Sequence, residues 1–290
     1  MFALEQVQPS RHRTGRMAIG VLGAVALVAV TALAVGHGPA QRGVVLVPRS
    51  PVAVSCGETI SSSIVVGNDL TCASGNGLAV AADGITVNLN GHTLAGNPGG
   101  VGVHNSYRGV TIENGTVTGW GTGIFELLGA SNKITGIRAS QDNDGIELTQ
   151  NAQAVSITDN VVFSNSNAGI VVGPGSSNVS VTSNVVRQNG GDGILIESIA
   201  DVVQANQVEN NTANGINDAG LGATMTDNTL NANGDDGISG SGDPTSTIGS
   251  NTANFNGAYG IQASAGGKDS GGNLAKGNAQ AAQCADVICS

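Results

Sequence analysis

Aromatic and charged residues are scarce in this sequence, and leucines at helical spacing are absent from it. Of 290 residues, 2% are aromatic and 11% are charged, whereas 45 are glycine. The missing helical periodicity excludes stacked-helix repeats and leucine-rich horseshoes. A disordered chain is excluded as well, because 40% of the residues are hydrophobic and their pattern is regular. The composition therefore favours one β domain over two globular domains.

Positive charge is also scarce. Without residues 1–40, eight Lys and Arg stand against twenty Asp and Glu, a net charge of about −12. Such a surface repels nucleic acid and other polyanions, so the sequence excludes nucleic acid as a partner. A polyuronate lyase with this surface would need Ca²⁺ to bridge acidic protein and acidic substrate. No other cofactor is indicated.

The dominant feature that is present is a repeat of 22 to 24 residues. Two markers keep this period, a Gly-Ile pair and an Asn two residues before Val, Leu or Ala. The glycines of the first marker are Gly123, Gly145, Gly169, Gly193, Gly215, Gly237 and Gly260. The asparagines of the second are Asn160, Asn184, Asn206, Asn228, Asn251 and Asn273. A fixed period of this length indicates a repeat architecture in which neighbouring units cover each other's hydrophobic faces.

Within each repeat, apolar residues alternate with small polar ones, as in Val155-Ser156-Ile157. This period of two predicts strands, and about 22 residues hold three short strands with their turns. A propeller blade would need about 40 to 45 residues. We therefore predict a parallel β-helix of nine to ten coils, in which like residues stack at about 4.8 Å.

Stacking in register predicts two interior aliphatic ladders and one asparagine ladder. The first aliphatic ladder would contain Val103, Ile124, Ile146, Ile170, Ile194, Ile216, Ile238 and Ile261. The second would contain Ile112, Ile134, Ile157, Val181, Val203, Met225 and Ile248. We expect the six asparagines to stack at a turn, where their amides can bond to the neighbouring coil.

Two coils, Val155–Val162 and Asn178–Val186, resemble the right-handed parallel β-helix repeat of the pectate-lyase-like superfamily. Upstream, Gly84–Gly96 looks like the opening coil common in secreted members of that group. The resemblance covers roughly residues 56–289 and implies an all-β, single-domain, right-handed solenoid. It implies no particular activity, because the superfamily includes lyases, glycoside hydrolases, epimerases and adhesins.

The segment before the repeats has the features of an export signal. Three Arg precede 19 uncharged residues, 17–35, and a small residue at position 40 suits cleavage. The uncharged run is also long enough for a retained membrane anchor, which would be the only contact with a membrane. In both cases the remaining chain is secreted or extracytoplasmic. The predicted organisation is 1–40 signal peptide or anchor, 41–55 linker, and 56–290 β-helix domain.

Four cysteines lie in two pairs at the ends of the repeat region, and an even number in an exported protein favours disulfides. Zinc is the competing interpretation, but 15 and 4 intervening residues do not match the usual zinc spacing. Proximity in sequence predicts Cys56–Cys72 and Cys284–Cys289 disulfides. These bonds would pin the two open ends of the helix, where strand edges are otherwise unpaired.

Carboxylates that precede the Gly-Ile step are candidate catalytic residues. Asp144, Asp192 and Asp236 occupy one position in alternate coils, which places successive carboxylates roughly 9 to 10 Å apart. This is near the upper end of the separation in an inverting glycosidase. The segments Asn143–Glu147 and Gly234–Ile238 resemble polygalacturonase motifs, but they lie four coils apart rather than one, and the His-Gly and Arg-Ile-Lys segments of that family do not follow. Turn chemistry alone also selects Asp beside glycine.

Two surface features have more than one interpretation. Phe125, Val171 and Leu195 should point outward near Glu147, and such a stripe marks a ligand groove or partner surface, or packs under a loop. On another edge, Arg187 and Glu209 fall on neighbouring coils. We expect a surface ion pair there.

Three functional hypotheses follow. The first is a non-catalytic extracellular or envelope module that presents a rigid surface to a polysaccharide or cell-surface partner. The second is a polysaccharide hydrolase or lyase with Asp192, Asp235 and Asp236 as catalytic carboxylates and Arg187 as charge stabiliser. The third, from the resemblance alone, is a periplasmic accessory protein of metal-cofactor maturation, which the lack of Met and His clusters disfavours. Scarce aromatic platforms favour the first hypothesis over the second.

Overall fold

The computed structural model describes residues 49–240 and 243–290. The predicted signal peptide or anchor, its uncharged run at 17–35 and most of the predicted linker lie outside the described residues. The described residues belong to one unit. No helix among them is long and apolar enough to cross a membrane.

Alternating apolar and small polar residues form short strands throughout the described chain, as their period of two predicts. The strands are β1 (Glu58–Ile60), β2 (Ile64–Val65), β3 (Leu70–Thr71), β4 (Leu78–Val80), β5 (Thr86–Asn88), β6 (Thr93–Ala95), β7 (Val101–Asn105), β8 (Thr111–Thr118), β9 (Thr122–Leu127), β10 (Lys133–Ser140), β11 (Asp144–Thr149), β12 (Ser156–Thr158), β13 (Val161–Phe163), β14 (Ile170–Val172), β15 (Ser180–Thr182), β16 (Val185–Arg187), β17 (Ile194–Ile196), β18 (Val202–Gln204), β19 (Gln207–Glu209), β20 (Ile216–Asp218), β21 (Thr224–Thr226), β22 (Thr229–Asn231), β23 (Ile238–Gly240), β24 (Thr247–Gly249), β25 (Thr252–Asn254), β26 (Ile261–Ala263), β27 (Lys268–Gly271), β28 (Leu274–Lys276) and β29 (Cys284–Ala285).

These strands pair in parallel in three stacks, and the long strands β8 and β10 each belong to both the second and the third stack. The first stack is β1-β4-β7-β9-β11-β14-β17-β20-β23-β26-β29. The second runs from β2 through β5, β8, β10, β12, β15, β18, β21 and β24 to β27. The third runs from β3 through β6, β8, β10, β13, β16, β19, β22 and β25 to β28. The predicted parallel β-helix of nine to ten coils is confirmed.

The core is a set of aliphatic ladders inside the coils. Members of both predicted ladders are at most 2% exposed, and their register partners are those that the sequence repeat predicts. A third, unpredicted ladder lies in the third stack. It contains Leu94, Val117, Ala139, Val162, Val186, Val208, Leu230 and Ala253. Burying each larger side chain contributes about 1.5 to 3 kcal/mol, so every added coil increases the hydrophobic stabilisation of the stack.

The predicted asparagine ladder forms at the turn between the second and third stacks. Asn160 donates from its backbone N and from Nδ2 to Asn184 Oδ1, both at 3.0 Å. Asn160 Nδ2 also donates to Ile134 O at 3.0 Å, which satisfies a carbonyl at the turn. The same pattern continues from Asn184 to Asn273. Each rung therefore fixes the height of the next coil.

A second asparagine ladder, which the sequence analysis missed, forms at the turn between the third and first stacks. Its members follow those of the first ladder by five residues, which is the sequence signal that could have found them. They are Asn165, Asn189, Asn211, Asn233, Asn256 and Asn278. Each Nδ2 donates to the next Oδ1 at 2.9 to 3.1 Å. Asp142 precedes Asn165 in this row and donates its backbone N–H to Asn165 Oδ1 at 3.0 Å.

Both predicted disulfides are present. Cys56 is bonded to Cys72 and Cys284 to Cys289, with Cα–Cα distances of 5.8 and 6.2 Å. The first joins the turn before β1 to the end of β3, and the second joins β29 to the chain terminus. They lie at the two ends of the stacks, where the predicted role of pinning open coils requires them.

Replacing Asn184 by Ala tests the ladder. The substitution removes two bonds that Asn184 Oδ1 accepts and two that its Nδ2 donates. We expect the free energy of unfolding to fall by about 2 to 4 kcal/mol, because buried partners lose their bonds. Denaturant unfolding measures it. Asn254→Ala is the matched control, since Asn254 lies half-buried on an outer face, and its loss should cost under about 0.5 kcal/mol.

Candidate functional site

The carboxylates singled out from the sequence form a row at the corner that precedes the first stack. Asp144 Oδ1 accepts the backbone N–H of Ala168 at 3.0 Å. Asp192 Oδ1 accepts that of Asn214 at 2.9 Å. Asp236 Oδ1 accepts that of Tyr259 at 2.7 Å. Each aspartate therefore holds the following coil at its corner, which is the turn chemistry that the sequence analysis weighed against catalysis.

Asp192 accepts two further hydrogen bonds. Its Oδ1 also accepts Asn214 Nδ2 and its Oδ2 accepts Asn217 Nδ2, both at 2.9 Å. Asp236 is 5% exposed, and burial raises the pKa of its carboxyl, with a smaller contribution in the same direction from Asp235. Asp235 itself is exposed. Asp192 and Asp236 thus share a row two coils apart, with Asp235 on the surface beside Asp236.

Arg187 does not join this row. Its guanidinium lies over the ring of Phe163, 5.0 Å from the centroid, and its Nη1 donates to Gln188 Oε1 at 2.7 Å. Among residues 49–240 and 243–290, no hydrogen bond or ion pair joins it to Asp192 or Glu209. The expected Arg187–Glu209 ion pair is wrong, although the two residues are register partners, because the guanidinium stacks on the aromatic ring instead. The catalytic role of these residues stays a prediction.

The outward-facing side chains of the first stack form what we call the outer row. It consists of His104, Phe125, Glu147, Val171, Leu195 and Asn217, which are successive register partners. All six are half-buried, so the predicted outward direction of the apolar stripe is confirmed. The rings of His104 and Phe125 stack with centroids 5.6 Å apart. The row therefore has polar ends, and between them Glu147 separates aromatic surface at Phe125 from aliphatic surface at Val171 and Leu195.

Two acidic groups lie close together at the outer row, Glu147 within it and Asp144 at the corner beside it. Burial, and then the nearby Asp144 charge, raises the pKa of Glu147, while a 3.1 Å hydrogen bond from Thr122 Oγ1 lowers it. Burial also raises the pKa of Asp144, against hydrogen bonds from Ala168, Asn167 and Asn143. These groups repel an anionic ligand when they are ionised and can donate a hydrogen bond when they are protonated.

A cleft of about 330 Å³ opens at the corner next to this pair. Its lining is Pro98, Trp120, Gln141, Asp142, Asn143, Ser164 and Ser166. Asn143 connects it to the outer row, because Asn143 Nδ2 donates to Asp144 Oδ2 at 2.8 Å. Most of the wall consists of uncharged amides, hydroxyls and apolar rings. Such groups recognise hydroxyl-rich, weakly charged ligands by directional hydrogen bonds.

Within the described parts of the chain, no group of three or more His, Cys, Asp or Glu side chains is arranged to hold a metal ion. The sequence analysis missed the outer ends of the row, His104 and Asn217, and the cleft. The signal for His104 and Asn217 was that they repeat the position of Phe125 in other coils. Only the assembled coils show that these positions form one continuous surface.

Comparison with known proteins defines the family. A family model described as "Right handed beta helix region" matches residues 76–223, just over half of the chain. No curated protein sequence matches the chain.

Several solved structures share the fold. The A-module of mannuronan C-5 epimerase AlgE4 from Azotobacter vinelandii is 16% identical with a TM-score of 0.54, and the match covers 82% of this chain and 87% of that one. Pectate lyase Pel9A is 16% identical at TM-score 0.54, over 81% and 68% of the two chains. A double mutant of the periplasmic alginate epimerase AlgG is 14% identical at TM-score 0.53, over 80% and 72%. Identities this low show a shared fold alone. With its parallel stacks and the matching family model, this chain belongs to the right-handed beta helix family.

Proposed function

We propose that this protein is an extracytoplasmic β-helix module that binds a weakly charged polysaccharide along its outer row and the adjoining cleft. The observation that carries the proposal is the meeting of three features at one corner: the apolar and aromatic outer row, the Asp144–Glu147 pair and the cleft of about 330 Å³. A surface with these features offers stacking area together with directed hydrogen bonds, as carbohydrate sites do.

The periodicity of the outer row supports a repetitive, linear ligand. Six rungs at about 4.8 Å each span on the order of 24 Å along the stack. A chain of similar sugar units can contact such a row at regular intervals. The epimerases and the lyase that share the fold have names that refer to polysaccharides, which supports a polysaccharide as the ligand.

Charge argues for a ligand that is not strongly anionic. The described chain has few cations, and Asp144 and Glu147 add negative charge at the site itself. An acidic polysaccharide would therefore be repelled unless a cation such as Ca²⁺ intervened. The two disulfides support an oxidising, extracytoplasmic location, in agreement with the predicted export segment.

Replacing Phe125 by Ala tests the proposed binding surface. Phe125 is the only aromatic residue in the centre of the outer row, and its removal takes away stacking area. We therefore expect the Kd of the glycan that binds the native protein to rise about tenfold or more. A panel of neutral and acidic polysaccharides, measured by calorimetry and by retention in affinity gels, identifies that glycan. Phe163→Ala is the matched control, because Phe163 lies on the outer face of the third stack. Equal losses in both variants, or no binding across the panel, would contradict the proposal.

A second candidate function is polysaccharide hydrolysis, and the raised pKa values of Asp144 and Glu147 favour it. One carboxyl group that stays protonated beside a second carboxylate is the pairing that glycoside hydrolysis uses. The carboxylates proposed from sequence, Asp192, Asp235 and Asp236, form a competing set within this hypothesis.

Activity assays on the same panel, with and without Ca²⁺, distinguish these possibilities. If the protein is a hydrolase that uses Asp144 and Glu147, new reducing ends appear, and Glu147→Gln lowers kcat by about a hundredfold or more. Loss of turnover in Asp236→Ala with activity retained in Glu147→Gln would assign the reaction to the other set. Unsaturated products that require Ca²⁺ would indicate a lyase. Binding without turnover supports the module.

A further inference from the structure

Asp142 occupies the first position of the second asparagine ladder, although it is not an asparagine. Its Oδ1 accepts the backbone N–H of Trp120 at 2.8 Å, just as Asn165 Oδ1 accepts that of Asp142 at 3.0 Å. In every later pair of the ladder, Nδ2 of one rung donates to Oδ1 of the next. Asp142 therefore has an oxygen, Oδ2, where the other rungs have an NH₂ group.

The surroundings of that oxygen confirm the equivalence. A methyl group placed on Gly123 would lie 2.7 Å from Asp142 Oδ2, and one placed on Gly145 would lie 2.7 Å from Asn165 Nδ2. The two atoms thus hold the same place in successive coils. Asp142 is 2% exposed, and its Oδ2 has no hydrogen-bond partner within the described part of the chain.

An ionised Asp142 does not fit this position. In the ladder pattern Oδ2 faces Asn165 Oδ1, and both oxygens are acceptors when the carboxyl is ionised. Two buried acceptors without a proton between them leave both groups unsatisfied and repel each other. A carboxylic acid, in contrast, has one O–H donor.

We propose that Asp142 is a neutral carboxylic acid in the folded protein and that its Oδ2–H donates to Asn165 Oδ1, closing the N-terminal end of the ladder. Folding then takes up one proton at this corner. Because Asp142 and Trp120 both line the cleft, the proton also holds the cleft wall in place. The proposal goes beyond glycan binding and stands without it.

The groups that face Asp142 are uncharged. They are the backbone N–H groups of Trp120 and Ser140 and the amide of Asn165. Asp144, the nearest titratable side chain along the chain, is bonded to Asn143, Asn167 and the Ala168 N–H. Within the described residues, therefore, no cation favours ionisation of Asp142.

The pH dependence follows from the position of Asp142 in the core. Burial raises the pKa of Asp142 from 3.8 to about 7, against the backbone hydrogen bonds, which lower it. Since the folded pKa lies above the unfolded value, the stabilisation is fully present below about pH 4. It is lost as the pH rises through about 7.

Trp120 is a built-in reporter for this proton, since it is the only tryptophan of the chain and is 1% exposed. Its fluorescence, titrated between pH 5 and 9, should show a one-proton transition near pH 7 in the native protein. Asp142→Asn should abolish the transition, because an amide NH₂ group donates to Asn165 Oδ1 at every pH in this range and takes up no proton. The transition should survive in Asp235→Asn, a surface control. It should also survive in Glu126→Gln. Glu126 is the other buried acid, bonded to Asn105 and Asn132, and burial raises its pKa to about 7.

Unfolding measurements test the same proton independently. Between pH 5 and pH 8 the ratio of the folding constant of Asp142→Asn to that of the native protein should rise at least about tenfold. Asn189→Asp should place a second acid in the ladder. The ratio of its folding constant to that of the native protein should therefore fall between pH 5 and pH 8. A fluorescence transition that persists in Asp142→Asn, an unchanged stability ratio, or failure of Asp142→Asn to fold would overturn the proposal.

Discussion

The hydrogen bond from one asparagine side chain to the next, repeated along the stacked coils, is the interaction on which this structure depends. Each coil turns inside a buried corner, where backbone donors and acceptors have no strand partner and no water. An asparagine supplies both a donor and an acceptor there. Because Asn160 Nδ2 donates towards Asn184 Oδ1 and the same direction is kept to Asn273, every rung sets the height of the next. Aliphatic stacking then supplies most of the stability, but the amides set the register.

That dependence explains why the sequence predicted some features and not others. Gly-Ile steps and the asparagines of the first ladder recur at one period with little variation. The fold and the two predicted aliphatic ladders could therefore be predicted from the sequence. The third core ladder mixes Leu, Val and Ala, which hides its period. The outcome at Arg187 depended on a rotamer choice, since the guanidinium could reach either Glu209 or Phe163. The role of Asp192 was undecidable from one sequence, because a turn acceptor and a catalytic carboxylate are the same residue type at the same place.

The candidate site follows from the same arrangement. The polar groups in the interior already bond to neighbouring coils. Groups that can contact a ligand therefore lie at the outward positions of the first stack and at the corner beside it. Phe125 and Glu147 are adjacent there only because their strands stack, although 22 residues separate them in the sequence. Asp142 connects the two levels, since one of its oxygens belongs to the ladder while the residue lines the cleft.

The most direct measurement is the hydrogen exchange of side-chain NH₂ groups, observed by NMR in native buffer. If amide ladders set the register, the NH₂ protons of Asn184, Asn206 and Asn228 exchange only through unfolding of the stack, with protection that rises with global stability. The NH₂ group of Asn254, on an outer face, exchanges freely. Ladder amides that exchange as fast as that of Asn254 would contradict the account.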